Sequence, residues 1–478
     1  MPGRSPFTYE VVEARIEALI SGGALGPGER VPSVREICRT HGVSVATAVQ
    51  ALSNLEAKSL IRAKPRSGFY VQPVHRLPLP ASSSTLVRPQ KLKISEDVAR
   101  VFEDIRFPGA VPFGAGVPDP SLLPVEEISR CVARTARLHA KGFGEYPRCE
   151  TDLSLRKEIA LRLGRSGCSI PVDELVITNG GMEALNLAVR SVASPGDTIL
   201  VESPTYFGIL QMIESLGMKA ISVPSACDTG IDLLAFERAI TRYQVAAALL
   251  IPSFSNPHGA CLADGPRNEV TRIATRHRIP IIEDDIYGEL GFEESRPKPL
   301  KGFGDSANVL LCGSLSKCLS PSLRVGWVAG GRYTENVRRL KWITSIATPH
   351  VTAKAAADYL HSGGFDRHLR RFSKTLATNA VRLSNSIASC FPAGTSLSRP
   401  RGGYSLWIGL PPGVNSLVLR DAAIKRGISI CPGPIFSIQD EFQNYIRLNC
   451  AVVWGTRIED AIRTLGKIAQ QISSDAVH

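Results

Sequence analysis

Between residues 174 and 312 the chain carries five short β-branched or aliphatic runs, at 174–178, 198–201, 245–251, 280–282 and 309–312, separated by stretches of helical character. Runs that are apolar on both faces need cover on both sides, and intervening helices supply it. The alternation predicts an α/β domain on a mainly parallel sheet. At 478 residues the chain is too long for that domain alone, and two or three domains are expected. The longest wholly apolar run, 245–251, falls far short of the ~20 residues that span a bilayer. Glu10, Glu13, Arg15 and Glu17 interrupt the N-terminus where a signal peptide would be apolar. A cytoplasmic protein without a membrane partner is expected.

Residues 7–72 read as a separate helical unit closed by a short hairpin. Val12, Ile16, Leu19 and Ile20 mark one face of a first helix. Ser33 and Glu36 have capping-box spacing for a second, which stops at His41-Gly42. Ser44 caps a third, with Val45, Val49, Leu52 and Leu55 as its apolar side. Two helices joined by Thr40-His41-Gly42-Val43 are a helix-turn-helix signature. Leu60-Ile61-Arg62 and Gly68-Phe69-Tyr70-Val71 alternate like two strands around a basic turn. From 73 to 94, Pro73, Pro78, Pro80, Ser82, Ser83, Ser84 and Pro89 leave little to bury, which predicts a tether of at most ~70–80 Å when extended. The α/β part is expected over 95–475.

Charge and cysteine content narrow the function less. The net charge is +12, and residues 1–72 hold nine Lys/Arg against six Asp/Glu, a balance that suits a polyanion and also many enzymes. The eleven cysteines are odd in number, scattered and without a C-x-x-C, so reduced, mostly buried thiols and no metal site are expected.

The chemistry lies in the α/β part. Ser314-Leu315-Ser316-Lys317 is followed by Arg324 within Pro321–Trp327. A lysine can condense with an aldehyde, and hydroxyls with a guanidinium suit a phosphate. Taken alone, the same residues fit a surface lysine after a strand. Upstream, Asp284 and Tyr287 end a predicted strand, where a carboxylate can pair with a protonated pyridine nitrogen and a phenol can bond a ring oxygen. Acidic residues at a helix start are the alternative reading. Asn256-Pro257-His258-Gly259, Glu202-Ser203-Pro204-Thr205-Tyr206 and Asn179-Gly180-Gly181-Met182 precede them. The glycine pair would aim backbone N–H groups at a phosphate.

In this order and spacing, residues 95–475 resemble the fold-type I aminotransferases that use pyridoxal 5'-phosphate (PLP), with a large parallel-sheet domain and a small C-terminal α/β domain. The resemblance implies that Lys317 carries the cofactor as an aldimine and acts as base, that Asp284 pairs with the pyridine nitrogen, and that Tyr287 and Asn256 bond the ring oxygen. Tyr206 would stack on the ring. Ser314, Ser316, Arg324 and the amides of Gly181 and Met182 would hold the phosphate, with Tyr146 reaching the phosphate of a neighbouring subunit. Arg447, in Tyr445-Ile446-Arg447, matches the arginine that clamps a substrate α-carboxylate. Thr151 stands where glycine is usual, and Gly181 and Met182 where polar residues are frequent. His258 replaces the commoner threonine in a turn whose geometry is expected to rest on Pro257 and Gly259. Pro400–Trp407 and Gly427–Gly433 are similar to stretches of the small domain.

Residues 7–72 resemble the GntR-type winged helix-turn-helix through Pro27–Arg35 and Gly68-Phe69-Tyr70-Val71. Carried over, Arg35, Ser44, Thr47, Arg66 and Gly68 would touch DNA, although Val45 stands where arginine is common. The combination resembles the MocR group of regulators. It implies a homodimeric, DNA-binding transcription regulator whose PLP-bearing body senses an amine, an amino acid or PLP itself, with residual transamination. An active aminotransferase of an α-amino acid with a vestigial DNA-binding module is the alternative.

Overall fold

The computed structural model describes residues 8–58, 60–64, 67–72, 77–82, 86, 88–92, 96–144, 153–293, 295–439 and 441–475. Arg66, Tyr146 and Thr151 lie outside the described residues, so their expected roles are not placed.

The N-terminal unit packs α1 (Thr8–Ser21), α2 (Val34–His41) and α3 (Val45–Ala57) around Val12, Ile16, Ile37, Ala48, Ala51, Leu52 and Leu55. At α2 the Ser33 hydroxyl accepts from the Glu36 amide at 3.3 Å, and the Glu36 carboxylate accepts from the Ser33 amide at 2.6 Å. This is the reciprocal cap read from the spacing. Gly42 at φ 62° closes α2 in the left-handed conformation that favours glycine. Strands β1 (Ile61–Lys64) and β2 (Gly68–Val71) pair antiparallel as the wing.

The apolar face of α3 differs from the expectation. Ala48, Ala51, Leu52 and Leu55 are buried, while Val45 and Val49 are 62% and 45% exposed. At ~100° per residue the four buried positions share one arc of about 100°, and Val45 and Val49 fall about 20° and 60° beyond its edge, on the side turned away from the core. Leu19 of α1 is likewise exposed.

Ser44 caps α3 by accepting from the Thr47 amide at 3.2 Å. Ser44→Ala is expected to destabilise the head by about 1 kcal/mol, read as faster amide exchange across α3. Ser44→Asp keeps a capping acceptor, so protection should return. If both variants exchange like the wild type, the cap does not stabilise α3.

The body is built on a large mixed sheet. Its strands are β3 (Gln90–Lys91), β5 (Leu175–Thr178), β6 (Thr198–Ser203), β7 (Lys219–Ala226), β8 (Gly230–Ile231), β9 (Ala247–Leu250), β10 (Ile281–Asp284), β11 (Val309–Ser314) and β12 (Gly326–Ala329); the two-residue β4 (Val111–Pro112) lies apart. The order is β3-β7-β6-β9-β10-β11-β12-β5, with β8 on β7. β7, β6, β9, β10 and β11 are parallel neighbours, whereas β12 runs antiparallel to both β11 and β5. Four of these strands lie outside the five aliphatic runs: β3 and β8 are two residues long, Ser222, Pro224 and Ser225 interrupt β7, and β12 opens on Gly326-Trp327. The small domain adds an antiparallel sheet, β13 (Ser396–Leu397), β14 (Ser405–Gly409), β16 (Cys431–Pro432) and β17 (Tyr445–Asn449), in the order β13-β14-β17-β16, while β15 (Ile428–Ser429) pairs with β4. Among the described residues no helix is long and apolar enough to cross a membrane.

The Pro/Ser stretch is not a free tether where it is described. The Pro78 carbonyl accepts from the Leu397 amide at 2.8 Å, the Leu77 carbonyl from Arg399 at 3.0 Å, and Pro80 is buried. Further on, Leu86 and Leu92 pack on the large-domain cores, Gln90 and Lys91 add the edge strand β3 to β7, and the Gln90 side-chain Nε2 donates to the Ile438 carbonyl at 2.7 Å. The edges at β13 and β7 expose backbone groups that this segment satisfies. Composition missed both what its backbone could bond and the few side chains, Pro80, Leu86 and Leu92, that it buries or packs on the body.

Candidate functional site

The parallel strands deliver their carboxyl ends to one place, where ligands bind in open α/β sheets. β10 ends on Asp284, opposite Cys312 of β11, and Lys317 follows three residues after the end of β11. β6 leads to Tyr206, and β9 leads to the turn holding Asn256. The Ser203–Pro204 and Asn256–Pro257 peptide bonds are cis.

Burial and neighbouring charge set the protonation of the central pair. Burial, with help from Arg447 and Arg324, pulls the Lys317 amine down to about 8, against the opposing pull of Asp284. Its Nζ donates to the Gly116 carbonyl. Burial and the adjacent Asp285 push the Asp284 carboxyl up to about 7, although the Ile286 amide donates to it at 3.2 Å. Burial also raises the Tyr287 and Tyr206 phenols. Tyr287 meets Tyr404 edge to face at 5.3 Å, and the Tyr404 hydroxyl donates to the same Gly116 carbonyl at 3.2 Å.

Opposite them the small domain contributes Arg447 from the middle of β17, where it is buried. One guanidinium nitrogen is 3.4 Å from Asn256 Oδ1, another donates to the Gly114 carbonyl, and Nε has no hydrogen-bond partner among the described residues. A buried guanidinium with donor capacity in hand suits a carboxylate.

A third group forms a cradle. Ser314 and Ser316 hydroxyls are 3.0 Å apart, Arg324 reaches Ser316 Oγ at 3.4 Å and the Asn179 carbonyl at 2.9 Å, and the helix Gly181–Val192 starts beside them. Gly180 has φ 84°, and a Cβ there would lie 2.4 Å from Arg324 Nη2, so only glycine leaves the approach open. Gly181 opens that helix and Met182, 39% exposed, follows it, so both amides belong to the first turn, where backbone N–H groups lack partners within the helix.

These residues fit PLP. The cradle combines hydroxyls, a guanidinium and a helix N-terminus, as a phosphate requires. The buried Asp284 carboxyl lacks a bonded cation among the described residues, and the orphaned Ser255 Oγ and Arg447 Nε lie in the same neighbourhood of the chain's fold.

Sequence reasoning missed three participants. Tyr404 lies in the stretch Pro400–Trp407 but was assigned no role. Glu202 and Ser225 join His258 in a buried chain: His258 Nδ1 accepts from the Ala260 amide at 3.1 Å, which leaves Nε2 as the donor to Ser225 Oγ at 3.1 Å. Ser225 in turn donates to Glu202 at 3.1 Å, and the other Glu202 oxygen accepts from the Ile251 amide at 2.7 Å. Burial lowers His258 to about 4, consistent with a neutral ring, and raises Glu202 to about 7. The Asn256–Gly259 turn thus rests on His258 as well as on Pro257 and Gly259, and the replacement of threonine is built into the structure.

In the head, Ser44 and Thr47 hydroxyls lie 2.8 Å apart at the start of α3, and Arg35 is exposed on α2. Gly68 has φ 105° and packs over Arg30, whose Nε would be 3.1 Å from a Cβ at that position. These four residues share the helix-turn-helix and wing unit.

Comparison with known proteins matches residues 8–71 to the GntR family of bacterial regulatory proteins and residues 111–465 to aminotransferase class I and II. YdcR of Escherichia coli (strain K12), named as an uncharacterised HTH-type transcriptional regulator, is 34% identical over 464 residues, 97% of this chain and 99% of that protein. A 2-aminoadipate transaminase of Thermus thermophilus is 29% identical over 364 residues, 75% of this chain and 90% of that protein. Among solved structures, LysN of Thermus thermophilus, an α-aminoadipate aminotransferase complexed with N-(5'-phosphopyridoxyl)-L-leucine, superimposes with a TM-score of 0.73 at 28% identity, over 80% of this chain and 98% of that one. PLP is the cofactor this fold family uses. With both halves matched in one chain and the full-length likeness to a regulator, the protein belongs to the MocR-type family, in which a GntR helix-turn-helix head is fused to an aminotransferase class I and II body.

Proposed function

We propose that this chain is a DNA-binding transcription regulator whose body holds PLP through Lys317 and responds to a small amine or amino acid. The observation that carries this reading is the convergence of Lys317, Asp284 and Arg447 at the carboxyl ends of the sheet, in the same chain as a GntR head. The head is assigned to 7–72, the linker to 73–94 and the body to 95–475. The protein acts as a dimer paired through the body, so that two weak heads gain by effective concentration.

PLP, when bound, supplies an electron sink for a carbanion at the ligand's Cα. The chain's residues do the rest. Lys317, with an amine pulled down to about 8, is partly unprotonated near neutrality; it can attack an aldehyde and later hold a proton beside Cα. Asp284 keeps the proton on the pyridine nitrogen. Asn256 offers its oxygen towards Arg447, which leaves its amide N–H, with the Tyr287 hydroxyl, to donate to the ring oxygen. Tyr206 covers the ring face; Ser314, Ser316, Arg324 and the amides of Gly181 and Met182 hold the phosphate. Arg447 orients an α-carboxylate. A ligand that draws Arg447 inward favours one arrangement of the two lobes, and differential affinity for the arrangements is what a sensor requires.

The complete set of catalytic groups also supports the alternative, an active α-amino-acid aminotransferase with a vestigial head. Fluorescence anisotropy on DNA from upstream of the chain's own gene, with and without PLP, separates the two. Salt-sensitive, competitor-resistant binding that shifts with PLP, by a protein of dimeric mass in light scattering, is the expected result. Binding no tighter than to random DNA in both states, with fast amino-acid half-reactions, would transfer the assignment to the aminotransferase.

A further inference from the structure

The outward face of α3 differs in chemistry from the rest of the head. Val45, Ala46, Val49, Gln50 and Ser53 are all exposed there, and none is charged. The cations lie elsewhere: Arg35 and Arg39 are exposed on α2, and Arg62 and Lys64 on β1. Lys58, past the end of α3, is engaged with Glu13 and Glu17 of α1. The head therefore holds its cations around α3 and leaves the outward face of that helix uncharged, with two valines, an alanine, a serine and the carboxamide of Gln50. Two valines one turn apart and exposed to water have no packing reason to be there, since the core is filled by Ala48, Ala51, Leu52 and Leu55.

The second helix of a helix-turn-helix enters the major groove with its N-terminal residues on the base edges. There, guanine presents two acceptors and is read chiefly by Arg or Lys; thymine presents a methyl group, read by apolar contact; adenine is read bidentately by Asn or Gln. The face of α3 carries the second and third of these devices and lacks the first. Gln50 donates one N–H to Asn54 Oδ1 at 3.0 Å, which fixes the carboxamide and leaves an N–H and the oxygen outward.

Building on the DNA-binding reading above, we infer that α3 recognises an A·T core, with thymine methyl groups against Val45 and Val49 and an adenine edge on Gln50. The flanking cations on α2 and the wing hold phosphates and carry no sequence information.

The test selects binding sites for the full-length, PLP-loaded protein from a random duplex library, then measures anisotropy on the selected duplex. A·T pairs are expected at the core of each half-site. Replacing a core thymine with uracil, which removes only the methyl, should weaken binding about three- to fivefold per site. The Val45→Ala/Val49→Ala double variant should bind thymine and uracil duplexes equally, with unchanged thermal unfolding because both positions are exposed. Val45→Arg should move the selected base at its position to guanine. A guanine core for the wild type, or equal binding of thymine and uracil duplexes by the wild type, overturns the inference and leaves DNA binding intact. Absence of salt-sensitive binding to any duplex overturns the DNA-binding reading and this inference together.

Discussion

Lys317→Ala is expected to abolish the visible absorbance of the PLP-loaded protein and to lower cofactor retention at least ~100-fold, the equivalent of about 3 kcal/mol. The lysine offers the amine that follows β11 into the site, so alanine leaves only the phosphate cradle and ring contacts. The fold should survive and gain. Burial depresses the Lys317 amine from 10.5 to about 8. In the unfolded chain the amine stays protonated up to its ordinary value, so this group costs stability below pH 8, and the cost fades as pH rises from 8 to about 10.5. Removing it should raise the urea midpoint of the cofactor-free protein at pH 7 and flatten that alkaline rise. Lys317→Arg, which keeps a cation without an available base, should lose the absorbance without the stability gain. Retained visible absorbance in Lys317→Ala would place the covalent link elsewhere.

Asp284→Asn is expected to act with opposite sign on stability and on chemistry. The folded carboxyl titrates at about 7 against 3.8 for the free group. Between those values the unfolded chain has already lost its proton, so the cofactor-free protein becomes less stable as pH rises from about 4 to 7 and then levels off. Asparagine cannot ionise. The variant should be more stable than the wild type by up to a few kcal/mol at pH 8 and equal to it near pH 4, as read from urea midpoints across that range. With PLP added, the covalent link through Lys317 should still form, but amino-acid half-reactions should slow by about 10²–10³-fold, because a neutral amide does not keep the pyridine nitrogen protonated. Parallel stability profiles for the two proteins would mean that Asp284 is not the group that titrates.

Residues whose type is fixed by chemistry were the legible ones. An amine beside an aldehyde, a carboxylate facing a pyridine nitrogen and a guanidinium for a carboxylate admit few substitutes, so Lys317 and Asp284 become readable once their motifs are taken together in order, and Arg447 through the family resemblance those motifs carry; the fold brings all three to one place. Positions fixed by packing were less legible. The periodicity of α3 placed Val45 and Val49 on the apolar side because helical spacing gives a direction around the axis and says nothing of where the neighbouring helices stop. Strand β12, Gly326-Trp327-Val328-Ala329, holds too few aliphatic residues to show as a run, and its antiparallel course depends on partners 12–18 and 148–154 residues away in sequence, which no local pattern encodes. His258 read as a turn residue because its two bonding partners, Ser225 and the Ala260 amide, meet only after β7 and the turn are assembled.

The docked linker changes the mechanics of the whole molecule. The Gln72 amide is bonded to the Leu60 carbonyl within the head, and the carbonyls of Leu77 and Pro78 are bonded to the small domain. Only five peptide steps join these anchors, a leash of at most ~18 Å in place of the ~70–80 Å available to an unattached segment. The same segment is fastened again at Gln90 to the large domain, so it crosses from one lobe to the other. In the proposed dimer the two heads then work as the jaws of a caliper: the short leashes tie their greatest separation to the geometry of the body. A ligand that shifts one lobe against the other resets the jaws without touching the heads.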